Sequence, residues 1–305
     1  MQKVRNPLHQ RFFGFLHCEV CRFGNALYAA DPNQFGEEQI APFVDETAIL
    51  QRSLKIQDQN YKLQYKYTDA LEDAYCTESG EYYYYFRGTD TLRFFCRTLT
   101  FDEMNKKITK EEAAKVAEAF MKTVLTEEYF SEYTVCSVSD LKDSLYVISY
   151  EKCVHGVPTY DCPTVWITES GEIYAFNGHE MLSCHDLEEA VSAEDVTNAC
   201  QIISDYVEQV EKPNWKYSDP VICMDNAGKA YIQVYASYTG INEIPHAVIL
   251  YTPIAQERNA PSFDLERRQC ELCDGGVFIY YVTNQEDHVL YKQYMWIRFL
   301  QNAEK

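Results

Sequence analysis

The hydrophobic pattern changes period several times along the chain. In LKIQDQNYKLQYKYT, residues 54–68, Tyr61, Leu63, Tyr65 and Tyr67 recur every second position. That period puts their side chains on one face of a strand, and the stretch reads as a hairpin. TESG at 77–80 reads as a turn, and EYYYYFRG and TLRFFCRTLTF continue as strands. At Thr109 the period becomes helical. ITKEEAAKVAEAFMKTVL places Thr109 three residues before Glu112, a capping-box spacing. Ala113, Val116, Ala117, Phe120, Met121 and Val124 then form one apolar stripe, opposite Lys110, Lys115 and Glu118.

Strands resume in SLYVISYEKCVHGVPTYDCPTVWITESGEIYAFNG, residues 144–178, which reads as three strands and two turns. Gly156 and Gly171 mark the turns, where a residue without Cβ takes positive φ easily. Leu145, Val147 and Ser149 alternate with Tyr146, Ile148 and Tyr150, so both faces of this strand need covering. A second helix is predicted in VSAEDVTNACQIISDYVEQV, with Ser192 and Asp195 at the capping spacing. Its stripe is Val196, Ala199, Cys200, Ile203, Tyr206, Val207 and Val210. Four more strand-like stretches follow, at DPVICMDNAGKAYIQVYASY, IPHAVILYTPI, GGVFIYYV and HVLYKQYMWIRFL.

The phrase TESGE occurs twice, at 77–81 and 168–172, each time before an aromatic strand. Each occurrence is followed by a capped helix and more strands, which suggests a divergent duplication of an α+β unit. The expected divisions are 1–50, an N-terminal segment of unclear structure; 51–108, a strand-rich partial unit; 109–190, one complete unit; and 191–305, a second unit with C-terminal strands.

Composition narrows the function classes. The chain has 305 residues, 46% of them hydrophobic, with 25 tyrosines, so a β-rich globular protein is expected. With 47 acidic and 27 basic residues the formal net charge is −20, which repels nucleic acid and anionic membrane surfaces. No apolar run is long enough for a transmembrane helix. At the N-terminus Lys3, Arg5 and Arg11 suit a basic leader region and Ala29-Ala30 a cleavage point. His17, Glu19 and Arg22 interrupt the apolar stretch between them, so no clean export signal is expected. The 12 cysteines are scattered, as in a reduced compartment at least as much as in a disulfide scaffold.

ITKEEAAKVAEAFM followed by YVISYEKCVHGVPTYDCPTVWITESGEIYAF resembles the PepSY-like domains, in particular the YcdB/YcdC-type repeats of secreted and surface proteins of Gram-positive bacteria. The matching elements are the alanine-rich capped helix at 109–125, the aromatic strand at 145–153, the G-hydrophobic-Pro turn at 154–158, and the strands at 164–168 and 171–176. The resemblance covers about 55–255. Cys153 and Cys162 are not part of the family pattern. It implies an α+β fold of tandem units, each a helix packed on a curved antiparallel β-sheet. It also implies a non-enzymatic module, propeptide-like or peptidase-inhibitory, acting on a protein or peptide partner outside the cell or at its surface.

Chemistry-bearing motifs are sparse. The chain has no G-x-S-x-G, P-loop, G-x-G-x-x-G or EF-hand loop. GHEMLSCH at 178–185 begins like a zinc-peptidase helix at His179-Glu180, but Ser183 stands where the second histidine is needed. Cys153 and His155 are strand neighbours two apart, with no nucleophile signature around them. Cys18 with Cys21 and Cys270 with Cys273 form two C-x-x-C pairs, which could together hold a structural zinc if the fold joined them. Tyr82, Tyr83, Tyr84 and Tyr85 are candidates for a surface that binds glycans through exposed rings, although aromatic strands more often pack in a core.

Overall fold

The computed structural model describes residues 42–69, 72–97, 107–141, 145–178, 181, 184–210, 215–224, 228–239, 245–255, 271–273 and 276–281. Sequence alternation becomes a ten-stranded antiparallel sheet. Its first half is a meander of β1 (Gln51–Ile56), β2 (Gln59–Thr68), β3 (Glu72–Cys76) and β4 (Tyr82–Phe86), followed by β5 (Leu92–Cys96). After helix α1 (Lys110–Val124) and the single turn α2 (Glu127–Phe130) come β6 (Tyr133–Leu141), β7 (Leu145–Val154), the short β8 (Val157–Pro158), β9 (Thr164–Thr168) and β10 (Ile173–Asn177). The spatial order is β1-β2-β3-β4-β5-β10-β9-β7-β6, with β8 beside β7. The N-terminal segment and both ends of the chain lie largely outside the described residues.

Helix α1 starts where the capping box predicts. The Thr109 amide donates to Glu112 Oε2 at 2.8 Å, and the Glu112 amide donates to Thr109 Oγ1 at 3.2 Å. Ala113, Ala117, Phe120 and Met121 are buried against the sheet, and Val116 and Val124 pack at the margin. The core beneath is aromatic. Phe95 stacks on Tyr83 at 5.2 Å and meets Phe120 edge-on at 5.9 Å, and Phe120 meets Phe176 at 5.3 Å. Such offset and edge-to-face pairs follow the ring quadrupole and add to the area term.

The two TESGE segments make the same turn. In the first, the Thr77 amide donates to Glu81 O at 2.9 Å, and the Glu81 amide donates to Thr77 Oγ1 at 3.0 Å. In the second, the Thr168 amide donates to Glu172 O at 2.9 Å, and the Glu172 amide donates to Thr168 Oγ1 at 3.0 Å. Gly80 and Gly171 take φ of 91° and 90°, in the region other residues resist. The fourth place of two further five-residue connections is again a left-handed glycine, Gly228 between Met224 and Ala230 and Gly276 between Leu272 and Phe278.

The sheet is strongly curled. At the β1–β2 turn, Gln57 Nε2 donates to Gly171 O at 2.7 Å, and the Ile173 amide donates to Gln57 Oε1 at 3.4 Å. Gln57 thus reaches the β9–β10 turn, although four strands separate β1 from β10 in the hydrogen-bonded order.

A second sheet follows α3 (Leu187–Ala190) and α4 (Ala193–Gln209). It comprises β11 (Lys216–Tyr217), β12 (Val221–Met224), β13 (Ala230–Thr239), β14 (Pro245–Pro253), β15 (Glu271–Leu272) and β16 (Phe278–Tyr281), in the order β11-β13-β14-β16-β15 with β12 also on β13. Ser192 caps α4 by accepting from the Asp195 amide at 3.1 Å. Val196, Ala199, Ile203 and Val207 pack on the aliphatic face Ile232, Val234, Val248 and Leu250, while Tyr231, Tyr235, Ile249 and Tyr251 form the other face. The β7–β8 hairpin joins the sheets: Val154 is buried in the second core, and the Tyr160 amide donates to Ile222 O at 2.7 Å. The architecture is α+β with antiparallel sheets. No helix among the described residues is long and apolar enough to cross a membrane.

Candidate functional site

Strand alternation splits the four tyrosines. Tyr83 and Tyr85 point under α1 and are fully or almost fully buried, so the platform of four rings does not form. Tyr82 and Tyr84 stack on the opposite face, with centroids 6.1 Å apart at 21°; Tyr82 is exposed and Tyr84 half-buried. Burial pushes the Tyr83 and Tyr85 hydroxyls up, that of Tyr85 to about 12, so neither ionises near neutrality.

Of the cysteine candidates, Cys18, Cys21 and Cys270 lie outside the described residues. Cys273 is half-buried at the second core, where the Tyr206 hydroxyl donates to its Sγ at 3.5 Å. No group of three metal-ligating side chains converges among the described residues. His179, Glu180 and Ser183 are also outside them. The Nδ1 of His185 lies 2.9 Å from Glu132 Oε1, and Glu132 also pairs with the buried Lys152. Lys152 donates to His185 O at 3.0 Å as well, so this polar knot fastens the segment before α3 to β7. His155 occupies the β7–β8 turn with φ of 49°, and its Nε2 lies 2.8 Å from Val191 O, while Cys153 is exposed.

The TESGE strands offer no free edge. β3, β4, β9 and β10 are paired on both sides, and the end strands among the described residues are β1 and β6. At β1 the backbone pattern is specific. The Tyr65 amide donates to Leu50 O at 3.0 Å, which fixes the even-numbered residues of β1 as those bonded to β2. The N–H and C=O groups of Gln51, Ser53 and Lys55 therefore point away from β2.

A groove of about 400 Å³ runs along this strand. Gln51 to Lys55 form one wall, Thr123 and Val124 from the last turn of α1 lie across from it, and Tyr85, Leu92 and Asp90 complete the lining. The volume is within the ~300–1,000 Å³ typical of ligand sites. One of its two cations is nearly buried. The Arg52 guanidinium lies over the rings of Tyr75 and Tyr85, at 5.0 and 4.4 Å from their centroids. It donates to Asp90 Oδ1 at 2.5 Å and to Thr89 O at 2.8 Å. Burial works against its charge, and the Tyr75 and Asp90 contacts more than offset that, so its pKa is raised.

The groove is a non-local feature, assembled from β1, the β4–β5 turn and the end of α1. One signal for it was present in the chain: Arg52 occupies the inward register of Leu54 and Ile56, where a cation needs a reason to be. No family model and no curated protein matches this chain.

Proposed function

We propose that this chain is a non-catalytic binding module that takes an extended peptide segment of a protein partner as an added strand on β1. The observation that carries this reading is the groove beside the outward-facing backbone groups of Gln51, Ser53 and Lys55. Strand addition draws affinity from such main-chain groups and specificity from the side-chain pockets next to them. The PepSY-like pattern at 109–176 agrees with it, since it implies a propeptide-like or peptidase-inhibitory role on a protein or peptide, exerted outside the cell or at its surface.

The test is a proline scan of the edge. Ser53→Pro removes an outward N–H while leaving the β2 ladder intact. With fluorescein-labelled nine-residue peptides of alternating Val and Thr as the probe, this variant should lose at least about tenfold in affinity, the equivalent of ~1.4 kcal/mol. An unfolding midpoint close to that of the parent would show that the fold survives. Undiminished binding by folded Ser53→Pro would refute strand addition at β1.

A further inference from the structure

We infer that the groove selects an acidic side chain on the bound segment, and that Asp90 holds the place of that side chain when the groove is empty of peptide. The inference rests on the strand-addition reading and adds the chemistry of the partner to it.

Three observations converge. First, the Arg52 side chain is only 9% exposed, yet it lines the groove, so its charge is presented in one direction rather than shed into solvent. Its seat on Tyr75 and Tyr85 fixes the plane of the guanidinium, which favours the fork geometry that carboxylates match. Second, Asp90 is the opposite case. Its side chain is 85% exposed and comes from the β4–β5 turn, so water replaces Arg52 around it at little cost. Third, the remaining charged residue of the lining is Lys55, also cationic. Apart from Asp90 the groove is therefore positive, although the chain as a whole is strongly acidic.

A carboxylate on an added strand would reach a preformed, partly dehydrated cation. Thr89 O, at 2.8 Å from the Arg52 fork, would keep the guanidinium oriented while Asp90 swings out. Lys55, two residues along β1 from Ser53 and also in the lining, adds a second attraction. A basic side chain at the same place would meet two cations, Arg52 and Lys55, with Asp90 as the one counter-charge of the lining, so discrimination comes from repulsion as well as from attraction.

The experiment uses three of the Val/Thr nonapeptides, with Glu, Gln or Lys at the central position, read by fluorescence anisotropy on the full chain. The parent protein should bind them in the order Glu, Gln, Lys, with at least about a tenfold spread between the ends. Asp90→Asn, at an exposed site, should tighten the Glu peptide about three- to tenfold and widen the Glu-to-Gln ratio, because the internal competitor and its negative charge are gone. Arg52→Gln should abolish the preference. Because Arg52 is part of the packing around Tyr75 and Tyr85, the Asp90→Asn result decides the matter if Arg52→Gln does not fold. Equal binding of all three peptides, lost together in Ser53→Pro, would overturn the acid preference and leave strand addition standing. Binding of none would overturn both.

Discussion

The two halves of the large sheet carry the same turn and use it in opposite ways. In the first, Tyr75, two residues before TESGE, lies in the core under α1. In the second, the residue at that place is Trp166, which packs on the other face with Tyr174 and Ala175, and its neighbours Val165 and Ile167 lie under α1 instead. Strand β5 explains the reversal. It pairs with β4 on one side and β10 on the other, both antiparallel. A half-turn about β5 exchanges the four-stranded meanders β1–β4 and β6-β7-β9-β10 and turns each over. One written phrase thus serves two faces, and side-chain size sorts out which face is core. The comparison also exposes a charge difference. The first half buries Glu72 and Asp73 beside Arg93 of β5, whereas the matching positions of the second are Pro163 and Thr164, and its buried charges, Lys152 and Asp161, lie elsewhere.

The two halves meet at an aromatic seam. Phe95 touches Tyr83 of the first half, Phe176 of the second and Phe120 of α1, and is fully buried. Phe95→Ala should cost about 3–5 kcal/mol, seen as a large drop in the urea midpoint, and should loosen both halves together. A loss confined to one half in hydrogen exchange would mean that they fold independently.

Glu72 predicts a pH effect that originates in the first half. Burial holds the Glu72 carboxyl up to about 8, with Arg93 opposing and Asp69 adding to the rise. A carboxyl raised above its unfolded value of ~4.3 keeps a proton in the fold that the unfolded chain releases. Its stabilising share is complete below that value and is lost as pH climbs towards 8. Stability should therefore fall between about pH 5 and pH 8, and Glu72→Gln should remove that part of the slope. An unchanged slope in the variant would show that Glu72 is ionised in the fold.

The smallest effect sharpens the likeness of the turns. Gly80→Ala and Gly171→Ala each force a methyl into left-handed backbone, costing about 1–2 kcal/mol. A Cβ at Gly80 meets open space, and one at Gly171 sits 3.6 Å from Ile108, an ordinary contact. The two costs should agree within about 0.5 kcal/mol in paired denaturation curves, near the resolution of such differences. A much larger loss at Gly171 would mean that the Gln57 bond to its carbonyl has been broken as well.

What the sequence made legible is local. Thr109 with Glu112, and Ser192 ahead of Asp195, announced both long helices, because a cap acts over three residues. The glycines of the turns announced the hairpins. Registers with irregularities were harder. A bulge between Tyr65 and Tyr67 breaks the single-face alternation expected over 61–67, and another between Ile173 and Ala175 shifts β10. The position of β5 between β4 and β10 was not legible, since pairing across some eighty residues leaves no mark in a local period. Nor were two of the five-residue turns, DNAGK and CDGGV, which share only the glycine position with TESGE. The groove escaped for the same reason as β5: its walls come from three distant segments, and only Arg52 hinted at it.

Strand β5 also sets the order of events during synthesis. Its far edge, with Phe94 and Phe95, finds β10 only after Asn177 has been made. At ~5–20 residues per second a ribosome needs roughly 4–16 s to add the intervening ~80 residues. For that time the nascent chain carries an open, aromatic β-edge, the kind of surface that recruits other strands. Much of this interval is spent on 98–132, including α1, whose Phe120 can cover the ring of Phe95 before its strand partner exists. The helix then acts first as a shield for the growing chain, and only afterwards as a wall of its core.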